Sequence, residues 1–271
     1  MNTLTQLSTL LQDQSLDQAL AHIENLIRQN PSNVAHRMAL FQILLITGAW
    51  ERALKQLQTC VKLQPDLAAI ATTYGDLIRA EHQRENVFLG KSQAHFYSDP
   101  PIWLSEMAQA LQHQNQNEYE LADQCRSEAL SKAPDTPCTL HHAEETTTLP
   151  WITDMDTRIG PVMEVMLHGR YFWIPLSDIK SIQFAPLTDL RDLVWIMAEI
   201  EFKNAEPIHA FIPTRYPFTH LSEQSNQLVK TTQWQHISNT CFAGLGQRSW
   251  MSEQTEHPIL QCKRIDFNPY P

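Results

Sequence analysis

The sequence predicts an α+β fold: N-terminal tetratricopeptide-like (TPR-like) α-helical repeats followed by a mostly β C-terminal module, either a small barrel or a strongly bent sheet. Two observations indicate this. The first ninety residues match themselves at an offset of 34 residues, which is the tetratricopeptide period. Beyond residue 150 the spacing of apolar residues shifts toward two, the period of a half-buried strand.

The repeat appears when the segment that starts at Asp17 is placed against the segment that starts at Glu51. Five positions then match: Ala19 with Ala53, Leu20 with Leu54, Ile23 with Leu57, Ile27 with Val61, and Pro31 with Pro65. An alanine suits a close helix crossing, residues spaced by three and four form a buried stripe, and a proline ends the helix. We expect one complete repeat, a degenerate third repeat and a weaker upstream one. The first helix of that upstream repeat would carry Leu4, Leu7, Leu10 and Leu11.

Further helices are predicted over residues 34–47, 68–89, 101–114 and 118–132. Stacked repeats of this kind form a concave surface that takes a helix or an extended peptide. The residues expected on this partner-binding groove are Met38, Gln42, Leu45, Thr72, Asp76 and Arg79.

Residues 134–149 are rich in turn formers and predict a linker between a helical domain (1–133) and a β-rich domain (150–271). Within the second domain two hairpins are predicted, 162–167 with 171–174 and 195–202 with 208–212. Weaker strand patterns lie at 180–184, 228–234 and 259–265.

Charge and composition exclude several functional classes. The formal net charge is −10 and no basic block is present, which argues against nucleic acid as a partner. The longest apolar stretch is too short for membrane insertion. The five cysteines are scattered without metal-binding or disulfide spacing, so we expect no metal, no cofactor and a cytoplasmic location.

Polar residues that could carry chemistry cluster in the second half: Asp154, Asp156, Arg158, Asp189, Arg191, Asp192, Arg215, Tyr216, Gln247 and Arg248. Paired carboxylates could serve acid–base hydrolysis. They could equally pair with the arginines and fix the loops between strands, which the Asp-Leu-Arg-Asp run at 189–192 favours. Recognised nucleophile, phosphate-loop and zinc-protease motifs are absent from the sequence.

Several long phrases are distinctive: 151–164, Gly169-Arg-Tyr-Phe-Trp-Ile-Pro175, Thr188-Asp-Leu-Arg-Asp-Leu-Val-Trp195, Ile212-Pro-Thr-Arg-Tyr-Pro217 and Gly244-Leu-Gly-Gln-Arg248. With Gly48-Ala-Trp-Glu-Arg-Ala53 upstream, they resemble the ImpE/TagJ (SciE-type) family over nearly the whole chain. The turn at 203–207 lacks the glycines expected in that family, and 218–226 is unusually polar. These departures concern peripheral loops.

The resemblance implies a non-enzymatic adaptor of a bacterial type VI secretion system. It implies binding to the N-terminal helix of the small sheath subunit and association with the ClpV-type AAA+ ATPase. Two alternatives stay open. One is a hydrolase that uses the C-terminal carboxylates, and the other is a structural oligomer that associates through the β module.

Overall fold

The structure is a computed structural model and describes residues 15–267. The predicted first helix with Leu4, Leu7, Leu10 and Leu11 lies outside the described residues. Six longer helices and one short helix are described, at Leu16–Gln29 (α1), Val34–Ile46 (α2), Trp50–Leu63 (α3), Ala68–Phe88 (α4), Ile102–Asn115 (α5), Tyr119–Lys132 (α6) and Gln224–Gln227 (α7).

The helix ends follow local side-chain chemistry. Ser15 starts α1 with a capping box, because its hydroxyl accepts from the Gln18 amide while the Gln18 side chain accepts from the Ser15 amide. The Asn33 side chain caps α2 in a similar way. Gly48 follows α2 with a φ of 68°, the left-handed conformation that suits glycine at a helix end.

Thirteen strands follow in the described residues: Cys138–His141 (β1), Thr146–Leu149 (β2), Thr153–Asp154 (β3), Val162–Leu167 (β4), Arg170–Pro175 (β5), Ile179–Phe184 (β6), Trp195–Phe202 (β7), Ile208–Pro213 (β8), Thr232–Ser238 (β9), Cys241–Gly246 (β10), Ser249–Ser252 (β11), Thr255–Pro258 (β12) and Arg264–Phe267 (β13). Eight of them form one antiparallel sheet in the order β2-β1-β13-β6-β7-β8-β4-β5. The two end strands of this order, β2 and β5, do not pair with each other, so the sheet does not close into a barrel. Of the two predicted forms, the bent sheet is therefore closer to the structure. Two small sheets, β10-β9 and β12-β11-β3, complete the β part.

The two predicted hairpins are confirmed as β4–β5 and β7–β8. His168 and Gly169 turn the first one with φ values of 49° and 72°, as a two-residue hairpin turn requires. Of the three weaker patterns, 180–184 is confirmed as β6, and the other two were less accurate. Strand β9 begins at Thr232 rather than near residue 228, and a 3-10 turn at Ile259–Gln261 precedes β13.

The linker prediction for residues 134–149 is wrong. Strand β1 lies between β2 and β13 in the large sheet, and Leu140 is fully buried. The segment is rich in turn-forming residues, and its strand β1 depends on pairing with β13, which lies more than 120 residues away along the chain. Strand β2 in turn pairs with β1.

Strand β4 of the large sheet is buried on both faces, because each face contacts a different core. Along β4, Val162 and Met166 pack toward the helices, whereas Met163 and Val165 pack into a second core within the β part. The first core joins aromatic residues of the helices to aromatic residues of the β part: Phe41, Trp50, Tyr74, Trp173, Trp195 and Tyr216. The predicted boundary near residue 133 therefore separates two architectures that share one core.

Candidate functional site

Two of the six predicted groove residues lie inside the protein, which corrects their assignment. Gln42 is buried, and its carbonyl oxygen accepts from the Leu190 amide at 3.0 Å. Leu45 is fully buried in the shared core. The loop at Leu190–Leu193 occupies this part of the concave surface, because it packs against α2. A partner therefore cannot reach Gln42 or Leu45 in this fold.

The other four groove residues remain at least partly accessible. Thr72 and Arg79 are exposed on α4, and Met38 and Asp76 are partly buried. Arg79 Nη1 lies 3.1 Å from Asp76 Oδ1. A Cβ atom added at Gly169 would lie 2.7 Å from that same nitrogen, so the β4–β5 turn borders this end of the groove. The part of the predicted groove that a partner can still reach is the edge of α4 together with the first turns of α2.

Behind the groove, an ionic network joins α4 to the sheet. Arg84 donates to both carboxylate oxygens of Glu164, with Nε–Oε1 at 2.7 Å and Nη2–Oε2 at 2.9 Å. The same guanidinium donates to Glu81 at 3.1 Å and to the Arg215 carbonyl at 3.0 Å. Because all these atoms are buried, the planar guanidinium fixes one arrangement of helix and strand.

Glu164 on β4 is the centre of this network. It accepts from the Tyr171 hydroxyl at 2.5 Å and lies 3.2 Å from Nη1 of Arg248. The Trp173 indole in turn donates to the Tyr171 oxygen at 2.6 Å. Burial alone would raise the pKa of Glu164, but Arg84 and Arg248 outweigh burial and lower it to about 2.

Asp154 extends the network from the other side of Arg248. Its Oδ2 accepts from Arg248 Nε at 2.6 Å, and its Oδ1 accepts from the Tyr216 hydroxyl at 3.0 Å. Burial raises the pKa of Asp154 to about 6, against the opposing effect of Arg248. Thus Asp154, Tyr216 and Arg248, all predicted site residues, do come together.

Asp156 and Arg158 form the next pair. Arg158 donates to Asp156 through Nε at 2.8 Å and Nη2 at 2.5 Å, and Asp156 also accepts from the Gly244 amide at 3.1 Å. The guanidinium of Arg158 lies 4.9 Å from the centre of the Phe88 ring at the end of α4. This pair ties the 154–158 loop to β10 and to the helices.

Arg215 closes the end of α2. Its Nη1 and Nη2 donate to the carbonyl oxygens of Ile46 at 2.7 Å and Leu45 at 3.1 Å, the groups that a helix C-terminus leaves without partners. Burial lowers the pKa of Arg215 to about 10. Its role is to hold the helical part against the β8 end of the sheet.

The remaining predicted residues fix loops. Arg191 pairs with Asp189 at 2.5 Å and lies 5.0 Å from the centre of the Tyr74 ring. Asp192 accepts from the backbone amides of Thr188 and Asp189. Gln247 donates to the Val229 carbonyl at 2.6 Å.

The arrangement does not favour hydrolysis. Asp154 borders a pocket of about 210 Å³, yet both of its oxygens are engaged by Arg248, Tyr216 and a backbone amide. Asp156 and Asp189 are each paired with an arginine, and Asp192 binds its own loop. Within residues 15–267 each of these carboxylates is thus engaged by an arginine or by its own loop rather than free for acid–base work.

Three members of the network were missed as site residues: Glu81, Arg84 and Glu164. A signal was present in α4, since Glu81 and Arg84 continue the spacing of the buried Tyr74, Leu77 and Ile78 on one helix face. Charged residues on a buried helix face need partners of opposite charge, and the sequence pattern does not show which residues those partners are.

Two searches for other kinds of site gave negative results over residues 15–267. No group of three or more histidine, cysteine, aspartate or glutamate residues is placed to hold a metal ion. Of the helices in this range, none is both long and apolar enough to span a bilayer.

Comparison with known proteins identifies both parts of the chain. The family model described as ImpE protein matches residues 146–266, and a tetratricopeptide repeat model matches residues 10–77. The type VI secretion system accessory component TagJ of Pseudomonas aeruginosa is 33% identical over 263 residues, which cover 96% of this chain and 90% of that protein.

A crystal structure of a Vibrio parahaemolyticus protein has the same fold, with a TM-score of 0.86 over 98% of both chains and 21% identity. The similarity to TagJ therefore covers both the helical repeat and the β part of this chain. The chain belongs to the ImpE/TagJ family, as its distinctive phrases indicated.

Proposed function

We propose that this protein is a non-enzymatic cytoplasmic adaptor of a bacterial type VI secretion system. In this role it binds the N-terminal helix of the small sheath subunit and associates with the ClpV-type AAA+ ATPase. The observation that carries the proposal is the similarity to the TagJ accessory component along the whole chain, combined with a tetratricopeptide repeat. Such repeats bind peptides and helices of other proteins.

The accessible edge of α4 is the part of the predicted groove that can meet a partner. Thr72, Asp76 and Arg79 lie on one side of this helix, spaced by four and three residues. Met38 adds a partly exposed apolar side chain from α2. Because Gln42 and Leu45 are covered by the protein itself, the open surface suits one short helix rather than a long peptide.

Calorimetry with purified sheath subunit tests this proposal. We expect binding to the full subunit and none to a subunit that lacks its first helix. Arg79→Glu should weaken binding about tenfold or more, because it reverses the charge at the edge of the groove. Lys55→Glu is the matched control, since Lys55 is exposed on α3 and its reversal should leave the affinity unchanged.

Undiminished binding after removal of the sheath helix would exclude the proposed interaction. Equal effects of Arg79→Glu and Lys55→Glu would place the helix on another surface. Association with the ATPase is tested separately, by the same titration with purified ATPase. An absence of heat change and of co-elution there would remove the ATPase from the proposal.

A further inference from the structure

The sheets described within residues 15–267 end in six edge strands, and five of these edges are protected from pairing. Strand β5 is covered by the chain itself, because the Trp173 amide donates to the His95 carbonyl at 2.8 Å. Residues 156–157 cover β10 in the same way. Strands β2 and β3 are only four and two residues long, and β12 carries Glu256 and Pro258. Short length, charge, proline and a covering segment all keep sheet edges from pairing with other chains.

Strand β9 has none of these protections. It is seven residues long, Thr232–Ser238, and contains no aspartate, glutamate, lysine, arginine or proline. In the described part of the chain its one neighbouring strand is β10. A ribbon of two strands is marginally stable by itself, whereas a sheet of three or more strands is not. The free edge of β9 is therefore the edge at which this ribbon can be extended.

The contacts of β10 show which backbone groups of β9 point to the free edge. The amide and carbonyl of Phe242 and the amide of Gly244 bond to residues 156–157, which lie away from β9. The ribbon is therefore joined through the alternate residues of β10. Trp234 lies opposite Gly244, so its own amide and carbonyl point away from β10.

The residues two positions before and after Trp234, Thr232 and His236, share its orientation. Outside the ribbon, no residue that the structure describes bonds to the backbone of these three. The three fit a second copy of the same strand placed antiparallel, with Trp234 opposite Trp234 and Thr232 opposite His236. Each such pair can exchange two backbone hydrogen bonds. A shift of two residues moves one pair past the end of β9, so the centred register makes the most bonds.

The side chains of β9 agree with the centred register. Trp234 is half-buried, with the Tyr216 ring edge-on at 5.4 Å, and the Trp234 of a second copy lies directly across from it. Aromatic side chains at such positions form favourable cross-strand pairs. On the other face, the exposed Gln233 lies opposite Gln235 of the second copy. The register thus brings no two like charges together along the strand.

The charges beyond the strand ends are complementary in the same register. Lys230 is exposed just before β9, and continuing the register by two residues places it opposite Ser238 of the second copy. The Ser238 hydroxyl donates to Asp123 at 2.6 Å. Asp123 also pairs with Arg126, and Glu120 on the same end of α6 is exposed. Each lysine therefore approaches an acidic helix end of the other copy, while the two lysines stay at opposite ends of the pair.

We propose that this protein forms a two-fold dimer in which β9 pairs antiparallel with β9 of a second copy. The two ribbons then make one continuous sheet in the order β10-β9-β9-β10. The backbone register, the tryptophan pair and the lysine positions are all self-complementary, which favours a second copy over an unrelated strand. A dimer presents the edge of α4 twice, which increases the apparent affinity for an assembly that repeats its binding helix. That consequence, unlike the dimer, rests on the proposed function.

Sedimentation velocity of the full chain over a concentration series tests the proposal. We expect wild type to show a reversible equilibrium between monomer and dimer. Gln233→Lys combined with Gln235→Lys places lysine opposite lysine on both sides of the tryptophan pair and should weaken the dimer about tenfold or more. Net charge alone predicts the reverse, since two positive charges are added to a chain of formal charge −10. Gln233→Lys combined with Gln235→Glu places lysine opposite glutamate and should leave the dimer at least as tight as wild type.

Gln29→Lys combined with Gln64→Lys adds the same charge at exposed helix ends and is the control, for which we expect the wild-type equilibrium. Circular dichroism verifies that each variant is folded. A wild-type chain that stays monomeric up to millimolar concentration would overturn the proposal and leave the edge of β9 to a strand of another protein. Equal weakening by both β9 variants, or no effect of either, would show that the dimer uses another register or another surface. Equal weakening by the control would show that charge, and not the strand, governs association.

Discussion

Arg84 on α4 and Glu164 on β4 form a two-point ion pair across the junction between the helices and the sheet, with their side chains 1% and 0% exposed. Eighty residues separate them along the chain. Each is held by further partners, Glu81 on the helix side and Tyr171 on the sheet side. The pair explains how a repeat that is too short to form a long array is fixed in one position against the β part.

Breaking this pair should strongly destabilise the fold. Glu164→Gln leaves the Arg84 charge buried with a weakened partner, so we expect a loss of about 3–5 kcal/mol in the free energy of unfolding. Urea denaturation followed by circular dichroism measures this loss. As a control, Glu201→Gln removes an exposed carboxylate bound to Lys180 and should change the midpoint little. Similar effects of the two variants would contradict the structural role of the buried pair.

The lowered pKa of Glu164 predicts that the free energy of unfolding depends on pH in the acid range. The folded-state pKa of Glu164, about 2, lies below its ordinary value of 4.5. Its contribution is therefore complete above about pH 4.5 and is lost as pH falls toward 2, by up to about 3 kcal/mol. The stability difference between wild type and Glu164→Gln should shrink over that interval. A difference that stays constant between pH 5 and pH 3 would show that the native pKa is not lowered.

The raised pKa of Glu85 predicts the opposite dependence of stability on pH. Burial, followed by the nearby Glu81 charge, raises the pKa of Glu85 to about 7 from 4.5. The folded state thus binds the proton more tightly, so stability from this group is present below about pH 4.5 and is lost as pH rises through 7. Glu85→Gln should become more stable relative to wild type between pH 5 and pH 8. Thermal unfolding at both pH values measures this, and a relative loss at pH 8 would contradict the prediction.

The corrected position of Leu45 gives a mutational test of the groove. Because Leu45 is fully buried, Leu45→Asp places a carboxylate in the shared core and should unfold the chain or destabilise it by more than about 4 kcal/mol. Thr72→Asp, on the exposed first turns of α4, should leave the helix content unchanged. Circular dichroism distinguishes them, and a folded Leu45→Asp variant would show that the groove is open at this residue.

The helices were predictable from the sequence because their apolar spacing is local. Ala53 and Leu57 are buried on α3 as the repeat alignment requires, and the two strong hairpins follow from period-two patterns with short turns. Strands β1 and β2 were not predictable, since β1 is held by pairing with β13 at the other end of the chain and β2 pairs in turn with β1.

The candidate site was predictable in part. The Asp154–Arg248 and Asp156–Arg158 pairs agree with the loop-fixing interpretation of these residues. What the sequence pattern could not reveal is that the loop at Leu190–Leu193 would cover the concave surface at Gln42. The repeat pattern describes each helix by itself, and the contact between α2 and the Leu190–Leu193 loop joins positions nearly 150 residues apart.

The most direct test of the account is native-state hydrogen exchange on the full chain, compared between wild type and Glu164→Gln. If the helices and the sheet form one unit joined by the Arg84–Glu164 pair, amides of α4 and of β4 should exchange with the same opening free energy. The substitution should lower both values equally. A variant in which β4 loses protection while α2 and α4 keep theirs would contradict the account, because the repeat would then be stable without the sheet.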